Sequence, residues 1–285
     1  MTLPEGWISN SQQALIYLLA PSTIRCTIPP MRTFSIQSGS TGNCIFVETQ
    51  GVRLLFDAGV SGKTAEMRLA ACGIDIRSVH GIVISHDHSD HTRCMGIFNR
   101  KYGIPVHITR PSLDAALAKN PIGPIANVRL FRSGDTMQVG SVRIETIPTP
   151  HDAVDGVAFV VDDGTSRLGI MTDLGYPFSE LATAVGTLDA VYLESNYDPE
   201  MLTKGSYPWY LKNRIRGGGG HISNAEAAEL LVRAASPRLR WACLAHLSEE
   251  NNSAQVALRT HHEIVGRRFP LGLASRHDAS AVFEV

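Results

Sequence analysis

The chain has 285 residues, 44% of them hydrophobic and 19% charged, the composition of a well-cored globular protein and not of a disordered chain or a membrane bundle. With 26 Lys and Arg against 27 Asp and Glu, the formal charge of −1 provides no global attraction to nucleic acid or to an anionic membrane, so any polyanion must be held locally. The five cysteines, Cys26, Cys44, Cys72, Cys94 and Cys243, are odd in number, scattered and without a Cys-x-x-Cys pair, which points to a reducing cytoplasm.

Residues 1–30 differ from the rest. Pro4, Pro21, Pro29 and Pro30 punctuate a stretch without sustained periodicity, and the apolar run Ala14 to Ala20 is far too short to span a bilayer. No Lys or Arg precedes that run, so a secretory signal is not expected either. This segment is read as a poorly structured N-terminal extension, and residues 31–285 as one domain.

From Met31 the pattern becomes regular. Strands are predicted over Thr33–Gln37, Cys44–Glu48 and Val52–Phe56, separated by the turn-rich Ser38–Asn43 and by Gln50-Gly51. Helical spacing follows over Thr64–Ala71, and the short apolar strand Gly81–Ile84 runs into Ser85-His86-Asp87-His88-Ser89-Asp90-His91. Further strands are predicted near Val128–Phe131, Val142–Ile147, Val157–Val161, Leu168–Met171 and Ala190–Leu193. Helices are predicted over Arg93–Tyr102, Ser112–Lys119, Ser179–Val185, Asn224–Ala235 and Ala254–Glu263. Strands in two groups, each followed by helices, imply an α/β chain of two sheets packed face to face with helices outside.

His86, His88, Asp90 and His91 place three imidazoles and a carboxylate within six positions. Composition alone produces that spacing roughly 0.001 times per chain of this kind. Borderline nitrogen and hard oxygen donors together suit Zn²⁺, Mn²⁺ or Fe²⁺. Three more potential ligands stand where strands end: His151 after Ile147–Pro150, Asp173 after Gly169–Thr172 and His246 after Ala242–Ala245. A lone His or Asp there is commonly a cap or turn residue, but a series of strand ends on one sheet edge can share a crevice. Cys94 reads as a small buried hydrophobe, and Ser85 and Ser89 as loop hydrogen-bonders. His80, His107, His261, His262 and His277 have no partner pattern and read as surface or packing residues.

These residues resemble the metal motif of the metallo-β-lactamase superfamily. The resemblance implies a four-layer αββα sandwich holding two divalent metal ions, with His86, His88 and His151 on one, Asp90, His91 and His246 on the other, and Asp173 bridging. Asp57, which ends the strand before it, resembles the early Asp that supports the histidines from behind, though a turn cap is equally open. Phe34–Asn43, His151–Val154, Thr172–Tyr176, Glu194-Ser195-Asn196, Tyr207–Trp209, Gly220–Asn224 and Ala245–Ser248 are similar to the YycJ/WalJ type of the superfamily. That likeness implies a cytoplasmic phosphodiesterase acting on nucleic acid, a 5′-to-3′ DNA exonuclease whose nucleophile is a hydroxide shared by the two cations. Asp90 and Asp173 then serve catalysis as well as metal binding.

His221 follows Gly217–Gly220 and opens a predicted helix, an element that resembles the His-Ser/Thr motif of tRNase Z and related nucleases. There it would bind the scissile phosphate or donate a proton to the leaving oxygen. An exposed loop histidine beside a Ser223 or Asn224 cap is the plainer alternative. Lys204, Lys212, Arg214 and Arg216, interleaved with Tyr207, Trp209 and Tyr210 and free of acidic residues, form a candidate nucleic-acid contact, or a helix with a solvated basic face and a buried aromatic one. Two other functions use the same parts: hydrolysis of a small thioester, lactone or cyclic phosphate, and a metal-stabilised nucleic-acid-binding or signalling module without turnover.

Overall fold

The computed structural model describes residues 29–285. Most of the expected N-terminal extension therefore lies outside the described residues. Two seven-stranded sheets form the centre. The first begins as an antiparallel meander of β1 (Arg32–Gln37), β2 (Cys44–Thr49) and β3 (Val52–Phe56), then continues in parallel through β4 (Gly81–Val83), β5 (Val106–Thr109) and β6 (Val128–Phe131). The second repeats this plan. Its antiparallel part is β7 (Thr136–Val139), β8 (Val142–Pro148), β9 (Val157–Asp162) and β10 (Arg167–Met171), and its parallel part is β11 (Ala190–Glu194), β12 (Trp241–Ala245) and β13 (Leu271–Leu273). The terminal β14 (Phe283–Glu284) returns to pair with β1.

The central strands, β2, β9 and β11 among them, are buried on both faces, which explains their nearly unbroken apolar runs. Alternation still sorts their side chains. In β2, Ile45 and Val47 enter the core between the sheets with Phe56, Phe159, Ile170 and Tyr192, whereas Cys44 and Phe46 join Phe34 and Leu55 in the core under the first helical layer. The rings of Phe56 and Phe159, one from each sheet, lie 5.2 Å apart.

The first sheet is covered by α1 (Gly62–Ala71) and α3 (Met95–Tyr102), with the single turn α2 (Ser89–Thr92) before α3 and α4 (Arg110–Lys119) after β5. The second sheet is covered by α5 (Ser179–Val185), α8 (Asn224–Ala234) and α9 (Ala254–Val265), whose Leu181, Leu230, Leu231 and Val265 pack on Val160, Met171 and Leu193. Between β11 and α8 stand α6 (Pro199–Lys204) and α7 (Trp209–Arg216). The architecture is the four-layer αββα sandwich.

Differences from the sequence reading are local. The helix expected over Arg93–Tyr102 begins two residues later, at Met95, and the end of the histidine motif before it forms the separate single turn α2. Strands β5, β7, β13 and β14 were not anticipated; they are two to four residues long, too short for a period to emerge. Of the two readings of the basic segment, a helix with a buried aromatic face is not what forms: α7 is helical, but its Trp209 and Tyr210 are both exposed. Among the described residues no helix is long and apolar enough to cross a membrane.

Candidate metal centre

One edge of the two sheets gathers the polar residues that end their strands. Asp57 follows β3, Ser85 and His86 follow β4, Asp173 follows β10, Glu194 closes β11 and His246 follows β12. Four non-glycine residues among those described have left-handed backbones, and Asp57 (φ 66°), Asp173 (φ 61°) and His246 (φ 54°) are three of them. That conformation is unfavourable for a side chain with a Cβ and persists where the surroundings enforce it, commonly at functional sites. Here it turns each chain sharply out of its strand.

The imidazoles are anchored from outside by one nitrogen, which leaves the other facing inward. The Nδ1 of His91 lies 2.8 Å from Asp57 Oδ2, and that of His151 lies 2.9 Å from the carbonyl of Gly220. The Nδ1 of His246 lies 3.0 Å from Glu194 Oε1, and that of His86 lies 2.9 Å from Ser85 Oγ, whose hydroxyl donates to Asp57. Each outer partner accepts, so Nδ1 carries the proton and Nε2 keeps its lone pair. His88 is turned round: its Nε2 stands 3.5 Å from Asp152 Oδ1, and its Nδ1 is 3.3 Å from Nε2 of His151.

The inward atoms form interlocking groups. Donor atoms of His86, His88 and His151 lie within 4.8 Å of one another, as do those of Asp90, His91 and His246 and those of His86, His91 and Asp173. Asp173 spans them, with Oδ1 3.6 Å from Nε2 of His151 and Oδ2 3.3 Å from Nε2 of His91. Among the described residues, His86 Nε2, His246 Nε2 and Asp173 Oδ2 are buried without a hydrogen-bond partner. Buried atoms of this kind are destabilising by about 1–3 kcal/mol each unless something fills the space between them. A cation does so, and this donor set fits one.

Electrostatics agrees. Burial acts to raise Asp90, but the neighbouring His91 and His246 hold its carboxyl well below the usual range, and the surrounding imidazoles do the same for Asp173 against its own burial. Burial lowers the basicity of His91 and His246, yet the carboxylates around them prevail. Asp173, Asp57 and Asp90 raise His91, while Asp173, Asp90 and Glu194 raise His246 to about 10. Burial and the neighbouring His91 push His86 the other way, well below the usual imidazole range. Protons and cations compete for the same lone pairs, and the carboxylates that retain a proton here also favour a metal.

His221 reaches this edge as well. Its Nδ1 lies 2.8 Å from Glu194 Oε1. The following helix α8 begins with a capping box in which Ser223 and Glu226 exchange bonds, so Ser223 is a cap and His221 is also at the site. Asn224, the alternative cap, is instead buried on Ser195 and Asn252. The Gly217–Gly220 loop lies against the His151 turn: Asp152 N donates to Gly219 O, and a Cβ at Gly175 would meet Gly218 O at 2.0 Å.

The basic segment is brought in only through Arg214, which pairs with Asp152 beside His88 and His151. Lys204 pairs with Glu200, Lys212 donates to the carbonyls of Thr203 and Gly205, and Arg216 donates to Asn213. Trp209 stands in solvent at the start of α7.

Other residues of the site carried no assigned role in the sequence. Glu194 is fully buried and accepts from His221 and His246 and from the backbone N–H groups of Leu174 and Ile222. Four donors occupy both its oxygens, which makes it an orienting acceptor of both rings. Asn43 directs Nδ2 to within 3.0 Å of His91 Nε2 while its Oδ1 accepts from Gly39 N. Asp87, wholly buried between His86 and His88, accepts from Lys119 Nζ and from Val154 N, tying the motif to α4 and to the loop after His151. Glu194 shares the strand-end position of Asp173 and His246, the one signal by which sequence could have marked it.

Residues 52–246 match the model of the beta-lactamase superfamily domain. The chain is 34% identical over 224 residues to Exodeoxyribonuclease YycJ of Bacillus anthracis, covering 78% of this chain and 84% of the relative. It is 36% identical over 229 residues to Exodeoxyribonuclease WalJ of Streptococcus pneumoniae, covering 79% and 84%. The crystal structure of the metallo-beta-lactamase fold protein YhfI from Bacillus subtilis superposes with a TM-score of 0.68 at 16% identity, over 90% of this chain and 99% of that one. The strand-end cage, the four layers and these sequence likenesses agree: the chain belongs to the beta-lactamase superfamily, in the group that contains YycJ and WalJ.

Proposed function

We propose that the protein is a metal-dependent phosphodiesterase acting on nucleic acid in the cytoplasm, a 5′-to-3′ DNA exonuclease with two divalent cations, Zn²⁺ or Mn²⁺. The observation that carries this reading is the trio of partnerless buried atoms on His86, Asp173 and His246 within a cage of seven donor residues. Support for the substrate comes from the relatives named as exodeoxyribonucleases and from His221 on the same edge. Support for the compartment comes from Cys44, Cys72, Cys94 and Cys243, which are free thiols among the described residues.

In this reading His86, His88 and His151 would hold one cation, Asp90, His91 and His246 would hold the other, and Asp173 would serve both. Cations in such a cage supply Lewis acidity towards phosphoryl oxygens and a water acidic enough to attack at neutral pH. Asp57, Ser85, Glu194 and the Gly220 carbonyl hold the proton of each neutral ring on Nδ1, so that Nε2 is the atom turned to a cation. Glu194 accepts from Nδ1 of His221 and supports its imidazolium form, in which the second N–H, on Nε2, bonds a phosphate oxygen or passes its proton to the leaving alkoxide. Arg214 adds positive charge at the rim.

The test uses end-labelled single- and double-stranded DNA and RNA, with and without a 5′ phosphate, under several divalent metals. Stepwise release of nucleotides from 5′ DNA ends, lost in a folded His88→Ala variant, is the expected outcome. A folded, metal-loaded protein that hydrolyses neither DNA, RNA nor bis(p-nitrophenyl) phosphate overturns the reading.

A further inference from the structure

Of the histidines that line the cage, His86, His91, His151 and His246 each have an outward nitrogen within hydrogen-bond distance of a fixed acceptor. His88 has none among the described residues. It is also the open member of the set, with 24% of its side chain exposed against 0% for His91, 2% for His151 and 3% for His246. Two acceptors compete for the single proton of this neutral ring. Its Nδ1 lies 3.3 Å from Nε2 of His151, whose own Nδ1 proton is engaged by the Gly220 carbonyl, and its Nε2 lies 3.5 Å from Oδ1 of Asp152. The two choices have opposite consequences. A proton on Nδ1 closes His88 and His151 on each other and takes both lone pairs away from a cation, whereas a proton on Nε2 leaves them side by side and free.

Among the described residues, Asp152 is the one carboxylate in reach of a His88 nitrogen, and it is held from two further directions. Its backbone N–H donates to Gly219 O at 2.8 Å, and its Oδ2 accepts from Nε of Arg214 in α7. With Oδ2 engaged by the guanidinium, Oδ1 is the oxygen that stands between the rings, 3.5 Å from His88 and 3.6 Å from Nε2 of His151. A hydrogen bond to an ionised acceptor is about twice as strong as one between neutral groups, so the carboxylate prevails over the His151 lone pair for the His88 proton.

We propose that Asp152 is a positioning residue: it keeps the His88 proton on Nε2, which holds the half of the cage formed by His86, His88 and His151 open to a cation, and Arg214 fixes which of its oxygens does so. This inference rests on the two-cation reading above and requires no nucleic acid. Through one carboxylate, α7 then bears on a metal site to which it contributes no ligand.

Long-range ¹H–¹⁵N correlation spectra of the full-length, metal-free chain at about pH 7.5 separate the two tautomers of a histidine, and the His88 signals are those missing from His88→Gln. Wild type is expected to carry the proton on Nε2. In Asp152→Asn the amide must turn its oxygen to Arg214, so its NH₂ faces His88 and the proton is expected on Nδ1. Adding Arg214→Met frees the amide to turn round, and the proton should return to Nε2. Cation affinity, read by competition with a chromogenic chelator, should fall about 10- to 100-fold in Asp152→Asn. Arg214→Met should recover about tenfold in that background and change the wild-type affinity by less than about threefold. A His88 proton on Nδ1 in the wild type, an unmoved proton in a folded Asp152→Asn, or an equal gain from Arg214→Met in both backgrounds, the mark of a charge effect alone, each overturns the proposal. A wild-type chain that binds no divalent cation overturns the two-cation reading, and the tautomers, read without metal, judge Asp152 separately.

Discussion

The Oδ2 atom of Asp57 lies 2.8 Å from Nδ1 of His91, while its Oδ1 accepts the backbone N–H of Ser85 at 2.8 Å. One carboxylate thereby fixes both the start of the histidine motif and the tautomer of its last histidine. Asp57→Asn is the informative substitution, because asparagine tolerates the left-handed backbone at this position. The amide oxygen can retain the Ser85 bond, but the NH₂ then faces Nδ1 and drives the ring proton to Nε2, the atom required for a metal. We expect a folded protein whose metal affinity falls about 10- to 100-fold, read by competition with a chromogenic chelator. Unchanged affinity would remove Asp57 from any supporting role.

Glu194→Gln tests the coupling of His221 to His246. A carboxylate accepts from both rings, whereas glutamine presents one oxygen and one NH₂, so one ring must lose its anchor. The variant is expected to lose about 1–3 kcal/mol of stability from the mismatched buried group. Its kcat on nucleic acid should fall about 10²- to 10³-fold, the scale of a misplaced proton donor. Denaturant unfolding and single-turnover cleavage measure the two effects separately. If kcat survives, His221 does not act through Glu194.

How much of this was legible in the sequence follows from how contacts are encoded. The run from His86 to His91 is local, so its donors are adjacent before any folding. His151, Asp173 and His246 are far apart in the chain but each follows an apolar run, and strand ends converge whatever their order. Glu194 obeys the same rule, yet a buried glutamate that serves two distant histidines has no local mark; its bond to His246 spans 52 residues. Asp87 and Asp152 resemble ordinary loop carboxylates until α4 and α7 bring Lys119 and Arg214 to them. The left-handed backbones at Asp57, Asp173 and His246 were invisible because no glycine marks them.

His261 offers a pH test remote from the cage. It is fully buried in α9; its Nδ1 bonds the Ala257 carbonyl, and its Nε2 has no partner among the described residues. Burial pushes its pKa down to about 4. A folded-state pKa below the unfolded value means that the unfolded chain takes up the proton first. The contribution to stability is therefore complete above about pH 6.5 and is lost as pH falls towards the folded value. Between pH 7.5 and 5 it should diminish by about 2 kcal/mol. His107, buried on β5 with a pKa of about 4, adds a loss of the same sign. In His261→Leu the unfolding free energy should decline less steeply over this range, by about that amount, when measured by urea titration with EDTA present. Parallel curves for the two proteins would show that His261 takes up no proton on unfolding.

Gly59→Ala tests whether the backbone frame of the centre can yield. Gly59 lies where the Ser38–Asn43 loop, the end of β3 and the histidine motif meet: its N–H bonds Asn43 O, and Asn43 N bonds Asp90 O. A Cβ at Gly59 would stand 1.6 Å from the carbonyl oxygen of Asp90 and 2.8 Å from Asn43 N, both backbone atoms. No side-chain rotation relieves that overlap, so the turn carrying Asp90 and His91 must move or the domain must lose stability. The overpacking should be destabilising by about 1–3 kcal/mol or more, and the shift should reach the metal before it reaches the core. We expect the purified variant to fold with a lowered Tm and to hold close to one metal ion per chain in place of two, measured by elemental analysis after dialysis. The displaced residues, Asp90 and His91, belong to one half of the cage, while the side chains of His86, His88 and His151 take their outer contacts from Ser85, Asp152 and Gly220. Full occupancy with an unchanged Tm would mean that the two loops are not locked together at this glycine.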